Sequence, residues 1–129
     1  DNQVYDMGVR RAVTANTIAY LSRTGGGSGD VYTAPPNSLI TIDFTVNVMR
    51  TDVLGDTASF KINATFTNVS GALVMVGEDV TTIHNSSTYT CNALLRGGGA
   101  NVGLRVTAPS SVDMRCTAFG KMIVQKIIP

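Results

Sequence analysis

Two ribbons of strict alternation constrain this chain more than anything else in it. In LITIDFTVNVM, residues 39–49, Ile40, Ile42, Phe44, Val46 and Val48 fall on one phase and Thr41, Asp43, Thr45 and Asn47 on the other. In TASFKINATFT, residues 57–67, Phe60, Ile62, Ala64 and Phe66 alternate in the same way with Ser59, Lys61, Asn63 and Thr65. A period of two sends successive side chains to opposite faces of a sheet, so each ribbon reads as a strand with one apolar and one polar side. No segment carries a 3.6-residue stripe, and the helix formers are scarce: Glu occurs once, at Glu78, and Lys three times.

Shorter strands flank these two. TIAYLSR (17–23) and VYTA (31–34) are separated by the flexible TGGGSGD, and Pro35-Pro36-Asn37 stops the second. ALVMVG (72–77) follows the turn Asn68-Val69-Ser70-Gly71, where Gly71 can take positive φ. A turn at Glu78-Asp79 leads into VTTIH (80–84), then STYTCNALL (87–95), the turn Gly97-Gly98-Gly99, and NVGLRVTA (101–108). Pro109-Ser110-Ser111 turns again before a last strand over 112–124, with Gly120 as a bulge or a site of close approach. Turn signals about every 8 to 14 residues between strands predict an all-β, antiparallel, jelly-roll-like sandwich of about eight strands with no substantial helix. Residues 1–16 lack periodicity and are expected to be an arm or linker; residues 17–129 form the sandwich domain. A chain that starts at Asp1 rather than Met is read as a piece of something longer.

Composition narrows the function. With 129 residues and 43% hydrophobic content the chain suits one domain with a true core. The net charge of +1 provides no global field for nucleic acid, and no apolar run approaches the ~20 residues of a membrane helix. Neither nucleic-acid binding nor membrane insertion is expected. The pair Arg10-Arg11 reads as a solvated part of the arm.

Groups able to do chemistry are few. His84 is the only histidine, and zinc sites take three or four ligands, so it reads as an ordinary turn residue. Asp52 with Asp56, or Glu78 with Asp79, could hold a hard cation, but solvated loops are the simpler reading. The glycine triplets at 25–27 and 97–99 open no helix and so lack the geometry of a phosphate loop. Asn63, Asn68 and Asn85 begin glycosylation-type triplets, which arise by chance in an Asn- and Thr-rich chain. Cys91 and Cys116 sit in apolar phases and are expected to be buried, unlinked thiols. No catalytic residue, cofactor or metal ligand is expected, and the chain reads as a non-enzyme. Eight aromatic residues without a Trp make a weak stacking platform. Phe44, Phe60, Phe66 and Tyr89 read as core, while Tyr5, Tyr20 and Tyr32 are freer.

The succession ITIDFTVNVMR, GDTASFKINATFTNVSGALVMVG, VTTIH, STYTCNALL, NVGLRVTAP and VDMRCTAFGKMIVQKI resembles a family. It is similar to the C-terminal head domain of bacteriophage tail-fibre and related virion proteins, over residues 17–128. The match lies in Gly55-Asp56 followed by Ala58 and Phe60, the turn and apolar strand after it, and a later strand carrying Leu104 and Val106. Two Trp positions common in that family are replaced here by Tyr89 and the 115–119 region. The resemblance implies a non-enzymatic, homotrimeric fibre tip on the virion that binds a host-surface receptor, a glycan or another outer component. Folding in a bacterial cytoplasm would keep both thiols reduced. A structural virion part (capsid decoration, baseplate or fibre) and a carbohydrate-binding module of a larger protein are the alternatives. Segments 72–77 and 122–128 are apolar in both phases, and strands covered on both faces read that way. Val74, Val76, Ile123 and Ile127 are therefore expected at a subunit interface or beneath the N-terminal arm.

Overall fold

The computed structural model describes residues 2–26 and 30–126, with no helix among them. Seven strands run in chain order: β1 Asn2–Leu21, β2 Asp30–Thr33, β3 Ser38–Arg50, β4 Thr57–Val69, β5 Ala72–Asn85, β6 Thr90–Arg96 and β7 Asn101–Lys126. All pairings are antiparallel. The hydrogen-bonded order is β1-β7-β3-β4-β5, with β2 and β6 also on β7. The fold is thus an all-β antiparallel sandwich of seven strands, where about eight are expected from sequence. Its organising element is one long strand with four partners, rather than two matched four-stranded sheets.

The far half of β7 lies between β1 and β3, in registers running from Val13↔Met114 to Asn2↔Gln125 and from Arg50↔Met114 to Ser38↔Lys126. The near half lies between β6 on one edge and the ends of β1 and β2 on the other. Between the halves the β1–β7 ribbon bends. Register slips fall between Val13 and Asn16 and between Asn16 and Ile18, and Ala15 adopts a left-handed φ of 48°. The Ala15 N–H donates to Asp113 Oδ1 at 2.8 Å. The fold-back brings Ser22 to Arg10, where two backbone hydrogen bonds of 2.8 and 3.1 Å join them.

Both halves share one core. Ile40, Ile42, Phe44, Val46, Phe60, Ile62 and Phe66 of the alternating ribbons meet Leu21, Val31, Tyr89, Val102, Leu104 and Val106 of the other half. Each large aliphatic or aromatic side chain removed from water contributes roughly 1.5–3 kcal/mol before entropy is counted. The hairpin β4–β5 turns on Ser70 (φ 54°) and Gly71 (φ 90°), the two positive values that a type I′ turn requires.

Three expectations need correction. The segment 1–16 is no arm: from residue 2 on it is β1, with Met7 and Val9 buried in the core. An edge strand needs few apolar residues, and charges at Asp6, Arg10 and Arg11 mask its period. The turn at Glu78-Asp79 does not exist, because β5 runs through it. β5 carries an extra residue at Val76 and another at Ile83, where the register with β4 slips. Each bulge inverts the side-chain phase, which breaks the alternation without reversing the chain. The turn at 109–111 is also absent. Pro109 occupies the unpaired gap between Thr107 and Val112 of β7, where its missing N–H costs no ladder bond.

Gly120 is a close-approach site, as expected from sequence. A Cβ there would lie 2.0 Å from the Asp43 carbonyl oxygen and 2.8 Å from the Phe44 Cα. Backbone cannot swing aside as a side chain can, so Gly120→Ala should cost about 3 kcal/mol, the upper end of ordinary overpacking. Gly77→Ala, where a Cβ meets nothing within 4 Å, should cost under ~0.5 kcal/mol. Urea midpoints of the two variants, at unchanged denaturant slope, decide the ranking.

Candidate binding face

The inner phases of β1, β7, β3 and β4 are committed to packing, β5 adds Leu73 to them, and the outer phases of the five strands form a broad face. Register orders that face into rows. Gly8, Phe119, Thr45, Lys61 and Thr81 make one row, and Asp6, Lys121, Asp43, Asn63 and Asp79 the next. Beyond the charged row come Val4, Ile123, Thr41 and Thr65, and on the other side Arg10, Thr117, Asn47 and Ser59. Thr41 and Thr65 share a hydrogen bond of 3.3 Å, Ser59 donates to Asn47 Oδ1, and Lys121 pairs with Asp6 at 3.3 Å.

Three of the four residues expected at an interface can be placed. Val74, Val76 and Ile123 are 51%, 57% and 47% exposed, and no arm among the described residues covers them. Ile127 lies outside the described residues. Val74 faces outward opposite Thr67, Ile123 faces outward between Val4 and Thr41, and Val76 is a bulge residue. The bulge accounts for Val76, while Val74 and Ile123 are apolar residues in the regular outward phase of their strands.

The rim beside this face is braced by Arg50. Its guanidinium meets Asp52 through Nε at 2.6 Å and Nη2 at 3.1 Å, and Asp56 through Nη1 at 3.5 Å. Both loop carboxylates considered for a cation are thus engaged by an arginine, which holds the Asp52 carboxyl below its ordinary pKa. The main-chain N–H of Arg50 donates to the Asp56 carbonyl and that of Thr51 to the Asp113 carbonyl. Beneath the loop, the buried Tyr89 hydroxyl and Asp56 Oδ1 are each without a hydrogen-bond partner. Burial raises the Tyr89 phenol, and the Asp56 charge raises it further. The braced loop presents Leu54, 91% exposed, at its tip.

Other candidates resolve into structural parts. His84 Nε2 bonds Thr57 Oγ1 at 3.0 Å and Ser86 Oγ at 3.2 Å. Glu78 Oε2 accepts the Ala93 N–H at 2.6 Å and so joins the edges of β5 and β6. Asn68 is buried and its amide donates to the Ala34 carbonyl, while that of Asn85 donates to the Tyr89 carbonyl; neither is free to carry a glycan. Tyr20 lies 3.7 Å beneath the Arg96 guanidinium, and Tyr5 and Tyr32 stack tilted at 6.1 Å. Among the described residues no three His, Cys, Asp or Glu side chains gather as a metal set.

Sequence reasoning passed over Phe119, 65% exposed in the middle of the face. The signal was present: Met114, Cys116 and Ala118 share the inward phase, which sends residue 119 outward. It also placed Arg10 on an arm, whereas the residue is part of the same face.

No protein-family model and no curated protein matches the chain. Among solved structures, it is similar to the tailspike gp49 of Acinetobacter baumannii bacteriophage Fri1, a capsular polysaccharide depolymerase. That match has 8% identity and a TM-score of 0.46, over 99% of this chain and 18% of the tailspike. A second similarity is to the tailspike of Acinetobacter baumannii phage AM24, with 10% identity and a TM-score of 0.43, over 95% of this chain and 26% of that one. The tailspike of Acinetobacter phage vB_ApiP_P1 matches at 12% identity and a TM-score of 0.33, over 98% of this chain and 21% of its own length. The chain thus spans about a fifth to a quarter of the tailspikes it matches, and likeness of this degree carries no functional argument.

Cys91 and Cys116 are both buried and unlinked. Burial pushes both thiols up to about 12, with a further contribution from Glu78 at Cys91 and from Cys91 at Cys116. A nucleophilic cysteine needs the opposite shift. A raised folded-state pKa contributes stability that is intact below the unfolded value near 9 and is lost as pH climbs toward 12. Each thiol should therefore add about 1.4 kcal/mol of destabilisation per pH unit across that window. Denaturant midpoints at pH 8, 10 and 11 should fall more steeply for the native chain than for Cys116→Ala, and iodoacetamide should label both thiols only after unfolding.

Proposed function

We propose that this domain is a non-enzymatic attachment module of a virion, the homotrimeric tip of a tail fibre that binds a host-surface component. The observation that carries the reading is the outer face of β1, β7, β3, β4 and β5. It is a five-strand platform of Thr, Asn and Ser side chains, braced by paired strands and interrupted by exposed Phe119, Val4, Ile123 and Val74. Hydroxyls and amides on a rigid support suit a polar ligand without the entropy loss of ordering loops. The sequence resemblance to fibre head domains supports the same reading.

Three copies would use the apolar end of the face. Val74, Ile123 and Val4 lie beyond the charged row there. Val76 is the exposed bulge beside Val74. Burying such residues between subunits removes about 25 cal/mol of unfavourable free energy for each Å² of apolar surface covered.

Two experiments test this. Analytical ultracentrifugation of the purified domain should give the mass of three chains, and Ile123→Asp should shift it to one chain while circular dichroism stays unchanged. A monomeric native chain sinks the trimer. Excess domain added to host cells should reduce adsorption of the parent virus at least tenfold, counted as infectious particles left in the supernatant. Undiminished adsorption at saturating domain sinks the attachment role.

A further inference from the structure

The arginine end of the outer face is built differently from the rest. Phe119 and Thr45 border a shallow depression of about 510 Å³ whose other walls include Gly8, Arg10, Asn47 and Thr117. A second depression of about 240 Å³ shares Arg10 and Thr117 with it and adds Arg11 and Arg115. Together the two depressions are lined by three arginines, of which Arg10 and Arg115 stand in the outward phase, and by no carboxylate. Among the described residues none of the three takes part in an ion pair. The carboxylate nearest along β7, that of Asp113, is committed to the Ala15 N–H.

Several features hold the groove ready. Arg10 lies across Gly25, where a Cβ would meet its Nε at 3.0 Å and its Cγ at 3.3 Å, so glycine leaves the side chain this path without displacement. Arg10 Nη2 donates to the Thr24 carbonyl at 3.2 Å, and its main chain is tied to Ser22 on both sides. The guanidinium is fixed along one edge and keeps donors for something else. Phe119 stands beside Gly8, which has no side chain to cover the ring. The Asn47 carbonyl accepts from Ser59, so its NH₂ group is what remains for a ligand.

These parts ask for a ligand with an apolar flat side, several hydroxyls and a negative charge. An aromatic ring offers its face to the C–H side of a sugar, Thr and Asn match hydroxyls, and arginine matches a carboxylate with paired N–H donors. We propose that the groove between Phe119 and the two outward arginines, Arg10 and Arg115, binds a carboxylated pyranose sugar, a uronic- or sialic-acid residue of an acidic host-surface glycan. This rests on the attachment reading and names its ligand class and its position, the end of the face opposite the apolar one.

Calorimetric titration of the domain decides it, with three probes: an oligosaccharide of alternating glucuronate and N-acetylglucosamine, an oligogalacturonate, and an oligosialic acid. At least one should bind, and its carboxyl-reduced form at least tenfold more weakly. Phe119→Ala and Arg10→Gln, both at exposed positions, should each lose at least tenfold in affinity with unchanged thermal midpoints, and Thr67→Ala, at the far end, should lose nothing. No binding to any probe, equal binding of the reduced form, or full affinity in either groove variant overturns the proposal. Adsorption assays separate this from the attachment reading. If native domain and both groove variants block adsorption equally, attachment stands and the groove is not its site. If the native domain blocks nothing, attachment fails, and the saccharide titrations still judge the groove.

Discussion

The fold depends on a bend. β7 pairs with β1, β2, β3 and β6, so almost every other pairing exists only relative to it. Were β1 and β7 to run straight, their two halves would carry apolar faces with nothing opposite. The bend at 13–18 of β1 and 107–112 of β7 turns one half over the other, and the Arg10–Ser22 backbone pair marks the closed position. The local chemistry matches. Ala15 takes a left-handed conformation that costs an L-residue about 1–2 kcal/mol, and the Asp113 carboxylate accepts its N–H as partial compensation. Asp113 also accepts from Thr51 through its carbonyl, so bend and braced loop share one residue.

Because the bend commits the inner phases to a single core, the outer phases are free to vary. Edge management follows the same division. β5 could offer an unpaired ladder to another chain. Two bulges distort it, exposed charges at Glu78 and Asp79 interrupt it, and the Glu78 side chain reaches across to the Ala93 N–H. The long outer row of Thr and Asn then carries no packing duty.

How much of this was legible follows from which residues bear the signal. The ribbons of β3 and β4 were plain because they are central strands, with one face wholly buried and the other wet. The same period marked Tyr89, Cys91, Val102 and Cys116 as inward. β1 was illegible because its inward positions at the edge are mixed, with Arg11 following Val9. Pro109 and Glu78-Asp79 imitate turns in a one-dimensional reading, and only the partner strands reveal a bend and a bulge. The face itself was visible as polar alternation, but its rows were not. Which outer residue of β1 stands beside which of β7 is set by a pairing more than a hundred residues apart in the chain.

Those rows carry the last step. Phe119 and Ile123 are four residues apart on one strand, roughly 13 Å at the usual rise, and the row Asp6–Lys121–Asp43–Asn63–Asp79 runs between them. That row holds three carboxylates against a single lysine. Packing it against an apolar partner would strip water from charges that only Lys121 and Asp6 satisfy in part, at 3.3 Å, and uncompensated buried charge is costly. An assembly that buries Val4, Ile123 and Val74 is therefore most favourable if it stops at this row, and an anion bound between Arg10 and Arg115 is favoured at a distance from it. The charged row acts as a boundary on a single continuous sheet. It lets the apolar end associate without occluding the arginine end, and the core beneath is the same on both sides.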